Sequence, residues 1–129
     1  MKTNELTGVL LDYWVARAEG DSIRATVNQP GTPEMWIGRY LDGNAYEPYR
    51  PSTDWAQCGP LVEKHRMYID GGNPHDKGWS AATGPDNMAV RAHGATPQEA
   101  ICRAVVRAEY GDDVPEDAGS GVLLKRLPS

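Results

Sequence analysis

The sequence has no phenylalanine, only two cysteines, no excess of basic residues and no long apolar run, and each shortage removes a class of protein. Without phenylalanine, four tryptophans and six tyrosines carry all the aromatic bulk, so some of those rings must form the core. Cys58 and Cys102 stand far apart with no CxxC pairing, which excludes a cysteine zinc framework and a disulfide scaffold; both are expected to be small buried side chains. The 13 lysines and arginines are outnumbered by 18 acidic residues, for a net charge of −5. That balance weighs against sequence-independent nucleic-acid binding, which draws its affinity from cations on phosphates. No stretch approaches the roughly 20 apolar residues of a membrane helix. The opening MKTNELTG lacks the apolar run and cleavage site of a signal peptide, so a cytosolic protein without membrane contact is expected. GxSxG, HExxH and Walker patterns are absent, and His65, His75 and His93 show no ligand spacing. His75-Asp76 reads as solvated loop, and no enzyme activity, metal or cofactor is expected.

What is present suits one small domain. Leu6 to Glu19 reads as a helix closed by Gly20, with stripes Leu6, Val9, Leu10, Tyr13 and Leu11, Trp14, Val15, Ala18 leaving a narrow polar strip at Gly8, Asp12 and Glu19. So wide an apolar arc needs cover on more than one side, by the tail or by a second copy, and a homo-oligomer is expected. Ile23 to Val27 alternates as a half-buried strand should, and Trp36-Ile37 suggests another short one. Turn residues follow at 29–33, 42–44 and 70–74. Trp79 to Ala82 and Asn87 to Ala92 read as a hairpin around Gly84-Pro85-Asp86. Thr96-Pro97-Gln98-Glu99 carries a cap, a first-turn proline and a glutamate three residues after the cap, and so opens a helix that Gly111 closes. Its inner face is Ala100, Ile101, Ala104, Val105 and Ala108; Glu99, Arg103 and Arg107 stack on the outer face.

The expected class is α+β, a small antiparallel sheet with two longer helices and one short helix in the order α-β-(β)-α-β-β-α. Residues 1–111 would form the domain and 112–129 a tail docked through Val122, Leu123, Leu124 and Leu127.

The densest stretch is Tyr46 to Arg66, YEPYRPSTDWAQCGPLVEKHR. Its prolines predict extended loop before Ser52, with Ser52 or Thr53 as helix cap and neighbouring amides free for an anion. A helix from Pro60 to Met67 follows, its end reaching toward Ile69. Tyr46, Tyr49 and Trp55 offer flat faces, Arg50 a fork for phosphate or carboxylate, and Ser52 and Thr53 neutral donors; Asp54 and Trp79 complete the candidate site. The competing structural roles are a core anchor for Trp55, a cap for Ser52 or Thr53, and an ion pair of Arg50 with Glu47 or Asp54.

The segment YRPSTDWAQCGP resembles the NinX-like phage family, as do the opening ELTGVLLDYWVARAEG, the Trp-x-Ala at Trp79 to Ala81, and GDDVPED after the last helix. ATPQEAICRAVVRA is similar to the closing helix of a related phage domain described as an α-β-α sandwich. The likeness covers most of residues 4–117 and departs at Cys58, where glycine is usual, and in the long Asp70 to Lys77 loop. It implies phage or prophage origin and an accessory role, with no catalytic residues to carry over. Two functions follow: binding of a small anionic, nucleotide-like ligand through the aromatic and arginine loop, or a protein-interaction module that inhibits or redirects a host factor. A pocket would need concavity with Arg50 facing into it; an interface would need exposed aromatic anchors.

Overall fold

Helix α1, Gly8–Ala18, follows a 3₁₀ turn at Thr3–Glu5 in the computed structural model, which describes residues 2–21, 23–27, 35–40, 46–71, 78–84 and 90–115. The helix buries every position from Leu11 to Ala16, which includes Leu11, Tyr13, Trp14 and Val15 of the two apolar stripes and also Asp12 of the polar strip. Trp14, fully buried, sits edge-on to Tyr13 and to Tyr110, with ring centroids 5.3 Å and 5.2 Å away. Tryptophan and tyrosine thus fill the space that phenylalanine would take in most cores. The cover over α1 comes largely from this chain's own elements, leaving Val9, Leu10 and Ala18 partly buried.

Two antiparallel sheets of three strands form, where one small sheet is expected. The first runs β1 (Ile23–Val27), β2 (Met35–Tyr40) and β3 (Tyr46–Pro48). Strand β3 corrects the expectation of loop before Ser52. Pro48 is tolerated because β3 lies at the sheet's edge, opposite Gly38, where one side of the strand has no ladder to fill.

Helix α2, Trp55–His65, starts on Asp54, whose carboxylate accepts from the Ala56 amide at 2.9 Å, so the cap is neither Ser52 nor Thr53. Pro60 is therefore interior; it is exposed, so the carbonyl it leaves without an amide can be taken up by water. Arg66 then turns left-handed at φ 51°, and the Met67 amide donates back to Val62 O at 3.0 Å. The reversal launches β4 (Tyr68–Gly71), a strand in place of the expected helix end. With β5 (Trp79–Thr83) and β6 (Val90–Gly94) it makes the second sheet, which contains the expected hairpin. The turns expected at 29–33, 42–44 and 85–86 and most of the 70–77 loop lie outside the described residues.

Helix α3, Pro97–Tyr110, lies across the second sheet and against α1 and α2. Thr96 Oγ1 accepts from the Glu99 amide at 3.1 Å, and the Glu99 carboxylate reaches back to the Ala95 amide at 3.1 Å. Gly111 ends the helix at φ 81°. Two assignments of its faces need correction. Ala108 is exposed, and Arg103, expected on the outer face, is packed between the helix and β6 with 11% of its side chain exposed. The N-terminal segment meets the residues that follow α3: Thr3 N donates to Asp112 O at 2.8 Å, Thr3 Oγ1 to Gly111 O at 2.7 Å, and Val114 joins the core. The leucines of the tail lie outside the described residues.

At Gly94 the second sheet and α3 approach each other closely. A Cβ there would lie 2.6 Å from Ala100 N and 2.9 Å from Glu99 Cβ, and backbone on that side cannot swing away as a long side chain could. Gly94→Ala is expected to cost about 1–3 kcal/mol by overpacking, and Thr96→Ala about 1 kcal/mol by loss of the cap. Urea midpoints at constant slope measure both, and an unchanged midpoint for Gly94→Ala would contradict the close approach.

Candidate functional site

The motif segment is seated on the polar strip of α1. Asp12 and Glu19 are seven residues apart, two helical turns, and so project from one side of the helix. Asp12 Oδ1 accepts from the Ser52 amide at 2.9 Å in a buried bond just before α2. Glu19 accepts from Lys64 Nζ at 3.1 Å and contacts His65 Nε2 at 3.0 Å, at the far end of α2. The narrow polar strip marked by sequence periodicity therefore holds both ends of the second helix.

Asp12 is only 3% exposed, and burial pushes its carboxyl up to about 6, against the opposing pull of the Ser52 amide and hydroxyl and the charge of Arg50. The Ser52 hydroxyl makes no hydrogen bond of good geometry, so it helps the carboxylate only as a nearby dipole.

The candidate residues divide into an inner and an outer set. Tyr49, 2% exposed, belongs to the core, Pro51 beside it is buried, and Ser52 is committed to Asp12. Asp54 caps α2, and Thr53, exposed, donates to Arg50 O at 3.4 Å. The Thr53 and Asp54 amides both donate to Arg50 O, and those of Ala56, Gln57 and Cys58 to Asp54. The start of α2 thus carries a carboxylate and committed amides, which leaves poor ground for the anion expected there. Gln57, which sequence reasoning passed over, clips the loop by accepting from Arg50 N and donating to Pro48 O, each at 2.7 Å.

Outward-facing are Arg50, whose guanidinium makes no hydrogen bond among the described residues, and Trp55, 50% exposed. Tyr46 is placed by its backbone opposite Tyr40 on β3; its side chain lies outside the described part. Trp79, 38% exposed, belongs to the second sheet, its ring over Gly71. Beside the loop is a concavity of about 220 Å³ lined by Glu19, Asp21, Tyr49, Gln57, Leu61 and Lys64. Neither Arg50 nor Trp55 lines it, and its two carboxylates suit an anion badly.

As expected, Cys58 and Cys102 are buried and unpaired by disulfide. The neighbouring Cys58 thiol on α2 together with burial pushes the Cys102 thiol on α3 well up, so it stays protonated at neutral pH.

Stability should carry the signature of Asp12. Its folded pKa of about 6 lies above the ordinary 3.8, so folding takes up a proton between the two. The stability due to this proton is full below about pH 4 and is lost as pH rises through about 6, a change of roughly 2–3 kcal/mol. Asp12→Asn keeps the acceptor for Ser52 and should gain on the wild type across that window in urea unfolding. Asp12→Ala strips the acceptor and should lose about 1–3 kcal/mol relative to Asp12→Asn. Parallel pH profiles for wild type and Asp12→Asn would contradict the assignment.

No curated protein matches the chain. The family model described as bacteriophage P22 NinX matches residues 2–108, from the 3₁₀ turn through nearly all of α3 and including the whole motif segment with its anchors on α1. A match over that span means that the chain belongs to the bacteriophage P22 NinX family.

Proposed function

We propose that the protein is an accessory phage protein that works by binding rather than catalysis, as an interaction module that engages a host protein in the cytosol through Arg50 and Trp55. The observation that carries this reading is a half-exposed indole and, five residues before it, an exposed arginine whose guanidinium makes no hydrogen bond among the described residues, both on a backbone fixed from beneath. Tryptophan and arginine are the residues that most often dominate protein interfaces, and a rigid base lowers the entropy lost when they dock. A core role for Trp55 accounts for only half of its surface.

A small nucleotide-like ligand at the same loop is the second reading, favoured by the free guanidinium of Arg50. The acid-lined concavity beside the loop and the carboxylate of Asp54 weigh against it. Association through α1 has lost much of its motive, since most of that apolar arc is covered within the chain.

Arg50→Ala should change stability by no more than about 0.5 kcal/mol, as for other exposed positions, while weakening partner binding at least about tenfold. Trp55→Ala should weaken binding by as much and cost some stability through its buried half. The check is affinity capture from native-host lysate with wild type and both variants in parallel, with phage fitness scored alongside. A partner retained equally by all three would overturn the reading. An ultraviolet-absorbing small molecule that copurifies with wild type and is lost in Arg50→Ala would favour the second reading instead.

A further inference from the structure

A separate indentation, lined by none of the motif residues, lies beside α3. Its volume is about 550 Å³, and it is bounded by the N-terminal segment, the free edge of β6 and the arginines of α3. Lys2, Asn4, His93, Arg103, Arg107 and Asp112 supply its polar groups. Three cations and one carboxylate meet here in a chain whose net charge is −5, so positive charge is concentrated against the overall balance.

The arginines are held by a match of repeats. Four residues of helix advance about 6 Å and two residues of strand about 6.7 Å, so Arg103 and Arg107 reach alternate carbonyls of the strand edge. Arg103 Nη1 donates to His93 O at 2.9 Å and Arg107 Nη1 to Arg91 O at 2.6 Å. Arg103 Nε also donates to Leu6 O at 3.0 Å, and its Nη1 pairs with Glu99 at 3.1 Å. These bonds fix the planes of both guanidiniums and leave Arg103 Nη2 and Arg107 Nε without a partner among the described residues. On an antiparallel edge the amide of a residue points the same way as its carbonyl, so the His93 N–H also faces outward with no strand beyond it. The side chains of Lys2, Asn4 and His93 make no hydrogen bond among the described residues. Arg107 Nη2 is held by Asp112 Oδ1 at 2.7 Å, and that carboxylate is 74% exposed, an anion already bound that a stronger one can displace.

We propose that this groove binds a small phosphate-bearing molecule, whose phosphoryl oxygens take the free Arg103 and Arg107 donors, the His93 amide and Lys2. The volume fits a small ligand, and preorganised guanidinium forks suit phosphate geometry. A long nucleic acid would meet the acidic remainder of the surface, whereas a small ester meets only the groove. The site is distinct from the Arg50 and Trp55 face, so either assignment can fail without the other.

The test is titration of the full-length ¹⁵N-labelled protein with inorganic pyrophosphate at low ionic strength, read by amide shifts. Saturable shifts centred on Asn4, His93 and Gly94 are expected, with a dissociation constant below about 1 mM. Lys2→Ala should weaken binding about threefold and Arg107→Gln about tenfold. Asp112→Asn should tighten it, because it frees Arg107 Nη2. Trp55→Ala should leave the titration unchanged. An unaltered urea midpoint for Lys2→Ala, whose side chain makes no bond, keeps the result clear of folding effects. Unsaturable shifts, shifts centred elsewhere, equal affinity in Lys2→Ala and Asp112→Asn, or tighter binding of a single-stranded oligonucleotide than of pyrophosphate would each overturn the proposal.

Discussion

A buried carboxylate accepting a single backbone amide is the constraint on which the motif depends. Asp12 is desolvated enough for its proton affinity to rise, yet Asp12 and the Ser52 amide satisfy each other at 2.9 Å, and neither is left orphaned in the core. With Ser52 fixed, Tyr49 and Pro51 fall into the interior and the chain leaves at the angle that lets Asp54 cap α2. Two turns later Glu19 holds the other end of α2, through the side chains of Lys64 and His65 rather than a backbone amide. The second helix is thus positioned by two acids of the first. Its outward residues inherit that rigidity.

This division of labour accounts for the density of unusual residues between Tyr46 and Arg66. Half of them face inward and make architecture: a core tyrosine, a buried proline, a committed serine amide, a cap, and Gln57 clipping the backbone on both sides. Arg50 and Trp55 are what remains outside. The basic groove uses another mechanism, in which helix and strand repeats agree closely enough for two arginines to satisfy the carbonyls of β6. An edge covered in this way is also protected against pairing with another chain.

Where local signals were strong, the fold was legible in the sequence. The cap at Thr96, the stop at Gly111, the strand at Ile23 to Val27, the hairpin and the burial of both cysteines follow from rules that act over a few residues. The misses share a cause, which is tertiary partners overriding local preference. The roles of Asp12 and Glu19 were not legible because periodicity marks a polar strip without saying whether another helix needs its acceptors. Arg103 looked external because i,i+4 spacing does not reveal a row of edge carbonyls beside it. Strand β4 was hidden because Arg66, not a glycine, adopts the left-handed turn that separates it from α2. The candidate site was legible as a segment, yet no pattern in it told the inner residues from the outer ones. Of the basic groove the sequence showed only the i,i+4 pair Arg103 and Arg107, since its other polar groups come from positions 2, 4, 93 and 112.

The inner half of the motif is architecture locked to α1 through Asp12, and the residues proposed for recognition are those it leaves exposed. Native-state hydrogen exchange of the Ser52 amide measures this most directly. If Asp12 holds that amide in the core, it should exchange only through global unfolding, with a protection free energy equal to the stability and the same dependence on denaturant. Exchange at the rate of an exposed loop, insensitive to denaturant, would mean that the segment opens independently of α1, and the division between an architectural and a recognition half would fail.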